Sequence, residues 1–189
     1  MSADVDTGGS ESGPVPALFD RATACADRLR AADRVLLASH IDADGLTSAA
    51  IASRALERAG LGFETVFEKQ LDRAAVERIA RSDYDTVLFT DFGSGQLDVI
   101  TEFEGEFTPV IADHHQPADA ETEYHLNPLL EGIDGASELS GAGASYVLAR
   151  ALGGERNRDL AGLAVVGAVG DMQDGDGGLS GANEGIVRE

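Results

Sequence analysis

Short apolar runs alternate with amphipathic stretches along most of this chain. Val35-Leu36-Leu37-Ala38, Val87-Leu88-Phe89 and Val110-Ile111-Ala112 are continuous apolar runs, and residues 63–67 form a weaker one. Such runs read as strands buried on both faces. Between them, apolar positions recur at helical spacing. Leu18, Ala22, Cys25 and Leu29 share one helix face; residues 46–59 form a second helix, and Leu71, Ala75 and Ile79 mark a third. Two more helices are expected over residues 143–152 and about 158–169. The latter carries Leu160, Leu163, Ala164, Val165, Val166 and Val169, is apolar nearly all round, and is therefore expected to be buried. Tyr124-His125-Leu126 reads as a further short strand. Strands alternating with helices predict an α/β fold, a Rossmann-like parallel β-sheet of about five strands with helices on both faces.

Composition narrows the class. The chain has 189 residues, of which 43% are hydrophobic, enough for one domain with a core. Trp is absent and aromatics are 5%, so aliphatic residues must supply that core. No apolar run approaches the ~20 residues of a membrane helix, and the N-terminus does not resemble a signal peptide. A soluble cytoplasmic protein is the expectation. The single cysteine, Cys25, excludes an intrachain disulfide and a multi-cysteine metal site, and its place on an apolar helix face makes it a small core residue. Residues 1–15, small, polar and acidic, read as a disordered tail.

The charge adds to this picture. There are 34 acidic and 14 basic residues, a net charge of −20, and Lys69 is the sole lysine. Excess acid with almost no lysine suggests a halophilic protein, because at ~1 M salt the Debye length is about 3 Å and self-repulsion is screened. Such a surface does not hold nucleic acid by counterion release. A nucleic-acid substrate would have to be held by local arginines, stacking or metal ions. Arg150, Arg156 and Arg158 are candidates for phosphate contacts, with solvated helix faces the more economical reading.

Three strands end in residues that bind metals: Ser39-His40-Ile41-Asp42-Ala43-Asp44-Gly45, Thr90-Asp91-Phe92-Gly93 and Asp113-His114-His115. Parallel strands put their carboxyl ends on one edge, where open α/β sheets bind ligands. Asp171 follows the apolar segment ending Val169-Gly170 and is a fourth candidate. Taken singly, each acid could be a helix cap or turn former, and each histidine a core residue. Together they would repel unless cations intervene. Asp42, Asp44, Asp91 and Asp171 supply the charge that two divalent ions would balance. Mixed imidazole and carboxylate ligands suit Mn²⁺, Zn²⁺ or Fe²⁺. A pair of such ions is suited to phosphoester hydrolysis.

These motifs resemble the DHH phosphoesterase superfamily, named for the run that stands here as Asp113-His114-His115. His40-x-Asp42-x-Asp44-Gly45, Asp91 and Asp171 match its other motifs in order, with Asn127-Pro128 and the helix start Ser140-Gly141-Ala142-Gly143 as secondary features. The resemblance is strongest to the RecJ-like branch, archaeal members in particular, through Thr90-Asp91-Phe92-Gly93-Ser94-Gly95-Gln96. It implies that residues 16–175 are a catalytic domain in which His40, Asp42 and Asp91 hold one metal. Asp44, Asp91, His114 and Asp171 would hold the other, with Asp91 bridging. The ions would be two divalent cations, manganese in first place with magnesium or cobalt as alternatives, activating a water that attacks phosphorus. His115 would be catalytic, contacting the scissile phosphate and aiding the leaving oxygen, and Asp113 would support it by orienting a histidine. Gly141 and Gly143 would bind substrate. Gly45 would let the chain turn closely over the metals into a helix beginning at Leu46. Ser39, Thr90 and His125 read as structural hydrogen-bonders, and Asn127 as either a support to the site or a turn residue.

The implied activity is hydrolysis of single-stranded DNA or RNA by an exonuclease, with replication or repair proteins as candidate partners. One alternative is a phosphoesterase for small substrates: an oligonucleotide, a cyclic dinucleotide or a phosphoadenosine nucleotide. Another is a non-catalytic scaffold. A pyrophosphatase is disfavoured, because its first motif places three residues where only Ile41 stands here. The C-terminal domain usual in RecJ-like enzymes has no counterpart in the sequence, and residues 176–189 read as the start of a linker or helix towards a missing C-terminal domain.

Overall fold

The computed structural model describes residues 13–175 and 177–189. Five strands form one parallel sheet: β1 (Arg34–His40), β2 (Gly62–Glu68), β3 (Thr86–Thr90), β4 (Thr108–Ala112) and β5 (His125–Leu126), in the order β2-β1-β3-β4-β5. Among the described residues seven α-helices accompany it: α1 (Phe19–Arg30), α2 (Ala43–Ala59), α3 (Arg73–Ala80), α4 (Leu97–Ile100), α5 (Gly141–Gly153), α6 (Ala161–Gly170) and α7 (Gly181–Val187). The α/β architecture is the expected one. Among the described residues no helix is long and apolar enough to cross a membrane.

The unbroken apolar strands follow from a sheet covered on both sides. Successive side chains on a strand point to opposite faces. Val35 and Leu37 of β1, Leu88 of β3 and Val110 and Ala112 of β4 join a core with α1, α2 and α5. Leu36 and Ala38, Val87 and Phe89, and Ile111 join a second core with α3 and α4. Cys25 is fully buried in the first core, and burial pushes its thiol up to about 12, so it is an inert packing residue.

Several expectations change. Residues 1–12 of the proposed tail lie outside the described residues, but Val15 is 5% exposed and belongs to the core, so packed chain begins before Pro16. The second helix starts at Ala43, ahead of the expected Leu46, because the Asp42 side chain caps it by accepting from the Gly45 amide at 2.8 Å. Gly45 is thus inside the helix. It serves close packing rather than a turn, since a Cβ there would lie 2.3 Å from the His40 carbonyl oxygen. The helix expected to be buried is only half so: α6 lays Ala164, Gly167 and Ala168 inward while Val166 and Val169 are 55% and 45% exposed. Its near-uniform apolarity hid a two-sided environment. Residues 181–187 form a helix, and it packs back onto the domain through Ile186.

Candidate metal centre

The site is assembled at the carboxyl ends of β1, β3 and β4, joined by the start of α5 and the end of α6. At the end of β1, His40 Nδ1 lies 2.9 Å from Asp42 Oδ2 and 3.6 Å from Asp91 Oδ2. Its Nε2 lies 3.1 Å from the Lys69 carbonyl oxygen. A carbonyl only accepts, so Nε2 carries a proton, and Nδ1 is the nitrogen turned toward the carboxylates. Asp42 divides its work: one oxygen caps α2 and the other faces His40.

After β4, His114 is held in the opposite sense. Its Nδ1 donates to the Gly135 carbonyl oxygen at 2.7 Å, and its Nε2 lies 3.3 Å from Asp91 Oδ1 and 3.7 Å from Asp44 Oδ2. Asp44 is 2% exposed and accepts from the amides of Gly141 and Ala142 at 2.7 and 2.9 Å. These are the first residues of the 13-residue α5, so a helix N-terminus fixes this carboxylate. Burial still raises the Asp44 carboxyl above its ordinary range. Asp171 ends α6, with Oδ2 at 3.8 Å from His114 Nδ1.

Asp91 stands between these groups. It is 2% exposed, and neither carboxylate oxygen has a hydrogen-bond partner. Its backbone is left-handed, at φ 60°, a conformation that aspartate tolerates better than most residues. Burial pushes its carboxyl up to about 8, reinforced by Asp44 and Asp113 and opposed by His114. His114 shows the reverse. Burial opposes its charge, but Asp91, the Gly135 carbonyl, Asp113 and Asp44 together lift the imidazole to about 10. A buried carboxylate with no donor is costly unless a cation meets it. Ligand atoms of His40, Asp42 and Asp91 lie within 4.8 Å of one another, as do those of Asp44, His114 and Asp171, and Asp91 touches both groups. The donor set therefore fits a divalent cation.

Asp113 is handled differently. It is fully buried, and its oxygens accept from the amides of Ser94 (2.9 Å), His114 (2.7 Å) and His115 (3.3 Å) and from His115 Nδ1 (2.8 Å). Burial opposes its charge, but His115, His114 and the Ser94 amide outweigh it and hold the carboxyl well below the usual range. Asp113 thus orients His115, whose ring is half exposed and whose pKa Asp113 raises. His125 is neutral and buried: burial lowers it to about 4, and Nε2 meets Ser94 Oγ at 2.8 Å. Asn127 donates to Ser94 Oγ and to the His115 carbonyl, and so braces the segment carrying His114 and His115. Ser39 and Thr90 bond each other and backbone carbonyls.

The two glycines expected to bind substrate are corrected. Gly141 and Gly143 are both buried. Gly141 gives its amide to Asp44, and a Cβ there would sit 2.4 Å from Asp91 Oδ1, so it keeps space open among the carboxylates. Gly143 packs against Leu139 and Ile186. Three contributors escaped the sequence reading. Lys69 supplies the carbonyl that orients His40, Gly135 supplies the one that orients His114, and Gln173 donates to Asp171 Oδ2 at 2.9 Å. Gly135 approaches so closely that a Cβ would lie 2.0 Å from the His114 carbonyl oxygen. None lies in a periodic element. The only local hint was Gln173, two positions after a candidate ligand.

Two hollows flank the cluster. A cleft of about 560 Å³ is bounded by His40, Lys69, Gln70, Phe92, Gln96 and His115 among others, and one of about 390 Å³ by His114, His115, Asp134, Gly135 and Asp171 among others.

Known proteins resemble this chain in sequence and in fold. The uncharacterized protein MJ0831 of Methanocaldococcus jannaschii is 35% identical over 159 residues, spanning 80% of this chain and 35% of that protein. RecJ from Thermus thermophilus, in complex with Mn²⁺, superposes with a TM-score of 0.72 at 26% identity, covering 93% of this chain and 26% of that one. A second structure, exonuclease RecJ bound to manganese, gives 0.73 at 26% identity, with 93% and 47% covered. The chain thus spans about a third of the curated relative and from about a quarter to about half of these structures. The model of the DHH family, N-terminal domain, matches residues 34–168, from the first residue of β1 to within α6, and by that match the chain belongs to the DHH family.

Proposed function

We propose that this domain hydrolyses phosphodiester bonds of single-stranded nucleic acid with two divalent cations, manganese first among them. The observation that carries the reading is Asp91, buried without a donor where two ligand groups meet. His40, Asp42 and Asp91 would hold one ion, and Asp44, Asp91, His114 and Asp171 the other. Bound there, such ions supply charge neutralisation for the phosphoryl oxygens and an acidified water as nucleophile. His40 and His114 each keep one nitrogen free for a ligand by donating the other to a carbonyl. His115, held by Asp113 through Nδ1, turns Nε2 outward to contact the phosphate and deliver a proton to the leaving oxygen. The likeness to manganese-bound RecJ at 26% identity supports the reading.

Charge distribution favours a second reading, short substrates. Among the described residues every arginine but Arg156 is in an ion pair with a carboxylate, Arg150 and Arg158 included. Lys69 is the basic side chain that both lacks such a pair and lines the larger cleft. One cation suits a terminal nucleotide or oligonucleotide better than a long strand, which needs many phosphate contacts.

The test is degradation of end-labelled single strands and of dinucleotides in Mn²⁺, by wild type and Asp91→Asn. Strand degradation abolished in the variant supports the nuclease; cleavage confined to dinucleotides selects the second reading. Absence of Mn²⁺ uptake by calorimetry overturns both.

A further inference from the structure

A chain of buried amides links the C-terminal helix to the ligands of one cation group. Gln173 is 5% exposed and Asn183 is 2% exposed. Gln173 Nε2 donates to Asp171 Oδ2 and to the Gly135 carbonyl oxygen, both at 2.9 Å. That carbonyl is the one accepting from His114 Nδ1 at 2.7 Å. Gln173 Oε1 in turn accepts from Asn183 Nδ2 at 2.6 Å. The roles are mutually fixed. Gly135 O and Asp171 can only accept, so Gln173 must present its nitrogen to them and its oxygen to Asn183.

Backbone geometry puts both amides in place. The end of α6 carries the bonds of a Schellman motif, Met172 N to Val169 O at 3.0 Å and Gln173 N to Ala168 O at 2.9 Å, with Met172 left-handed at φ 57°. Glycine is usual at that position, and a methionine there is strained. The strained turn leaves Met172 in solvent and carries Gln173 inward. Asn183 is pinned by its own amide, which donates to the Glu138 carbonyl at 2.7 Å. Asp91 and Met172 are the described non-glycine residues with positive φ, and both adjoin the ligand cluster.

We infer that Gln173 and Asn183 are positioning residues for the second cation group: Gln173 fixes the Asp171 carboxylate and, through Gly135, the His114 ring, and Asn183 fixes Gln173. The inference rests on the metal-dependent reading and adds that the cation sites depend unequally on this relay. The Asp44, Asp91, His114 and Asp171 site depends on it, whereas His40 is oriented independently by Lys69.

The experiment is Mn²⁺ titration by calorimetry and electron paramagnetic resonance, with the metal-free unfolding midpoint measured for each variant. Wild type is compared with Gln173→Met, which keeps length and apolar bulk, and with Asn183→Ala, which leaves Gln173 in place. His40→Ala identifies the step belonging to the first site. The expected result is that Gln173→Met weakens the second step about 10- to 100-fold and leaves the first unchanged, with a smaller loss for Asn183→Ala. Wild-type affinities at both steps in both variants overturn the inference while leaving the metal reading intact. So does equal weakening of both steps in proportion to lost stability, which would make the relay a structural tie. Should Gln173→Met not fold, Asn183→Ala decides by the same criteria. No uptake by wild type overturns the metal reading and the inference together.

Discussion

On the outer surface, Asp159 meets Arg58 at 2.6 Å and Glu102 meets Arg73, each pair open to water. At the carboxyl edge of the sheet, Asp44 and Asp91 are 2% exposed, and neither oxygen of Asp91 has a hydrogen-bond partner, His114 Nε2 standing off at 3.3 Å. The same residue type is treated in opposite ways. Solvated acids need no particular partner. The buried ones raise the cost of folding, and the geometry that buries them makes sense as a receptacle for positive charge. In a chain with net charge −20, abundance of acid therefore says little about function; burial without a donor says much more.

The comparison is broken most directly at Asp91. On the proposed function, Asp91→Asn should cut phosphodiester hydrolysis about 10³-fold or more, since it would remove the ligand proposed to be shared and several kcal/mol of transition-state stabilisation with it. Without metal the same variant should melt higher than wild type, because it deletes a buried charge that folding must accommodate. Adding Mn²⁺ should then raise the melting midpoint of wild type alone. A metal-free Asp91→Asn protein less stable than wild type would contradict the assignment of Asp91 as a buried charge that His114 only partly offsets.

Gly141→Ala comes next. Its Cβ would intrude 2.4 Å from Asp91 Oδ1 and 3.0 Å from Asp44 Oδ2. Overpacking of this kind costs about 1–3 kcal/mol, measurable by denaturant unfolding, and Mn²⁺ affinity should fall with it. The third effect is a pH dependence outside the ligand set. Folded His125 takes up its proton only near pH 4, against 6.5 ordinarily. The unfolded chain therefore binds more protons between those values, and stability should drop by at most about 3 kcal/mol as pH falls through that window. His125→Gln should flatten this slope in pH-dependent unfolding. The smallest effect is at the surface: Arg73→Ala should leave hydrolysis, Mn²⁺ uptake and the unfolding midpoint indistinguishable from wild type.

Much of this was legible in the sequence for a physical reason. Strands buried on both faces must be apolar throughout, so Val35-Leu36-Leu37-Ala38 and Val87-Leu88-Phe89 announced a covered parallel sheet, and topology then gathered the residues that follow them. The start of α2 was misplaced because Asp42 serves at once as helix cap and candidate ligand, and a motif of polar residues looks like a loop. The exposure of Val166 and Val169 was hidden because apolarity reports what a residue prefers, not what its neighbours leave uncovered. Gly135, Gln173 and Asn183 were illegible for a different reason. They act through individual hydrogen bonds, most of them to residues well removed in sequence, and no periodicity encodes such a bond.

The most direct measurement is anomalous diffraction from crystals soaked in Mn²⁺. Two peaks are predicted, one in coordinating contact with His40, Asp42 and Asp91, the other with Asp44, Asp91, His114 and Asp171. A single peak away from Asp91, or none at a concentration that saturates binding in solution, would contradict the account.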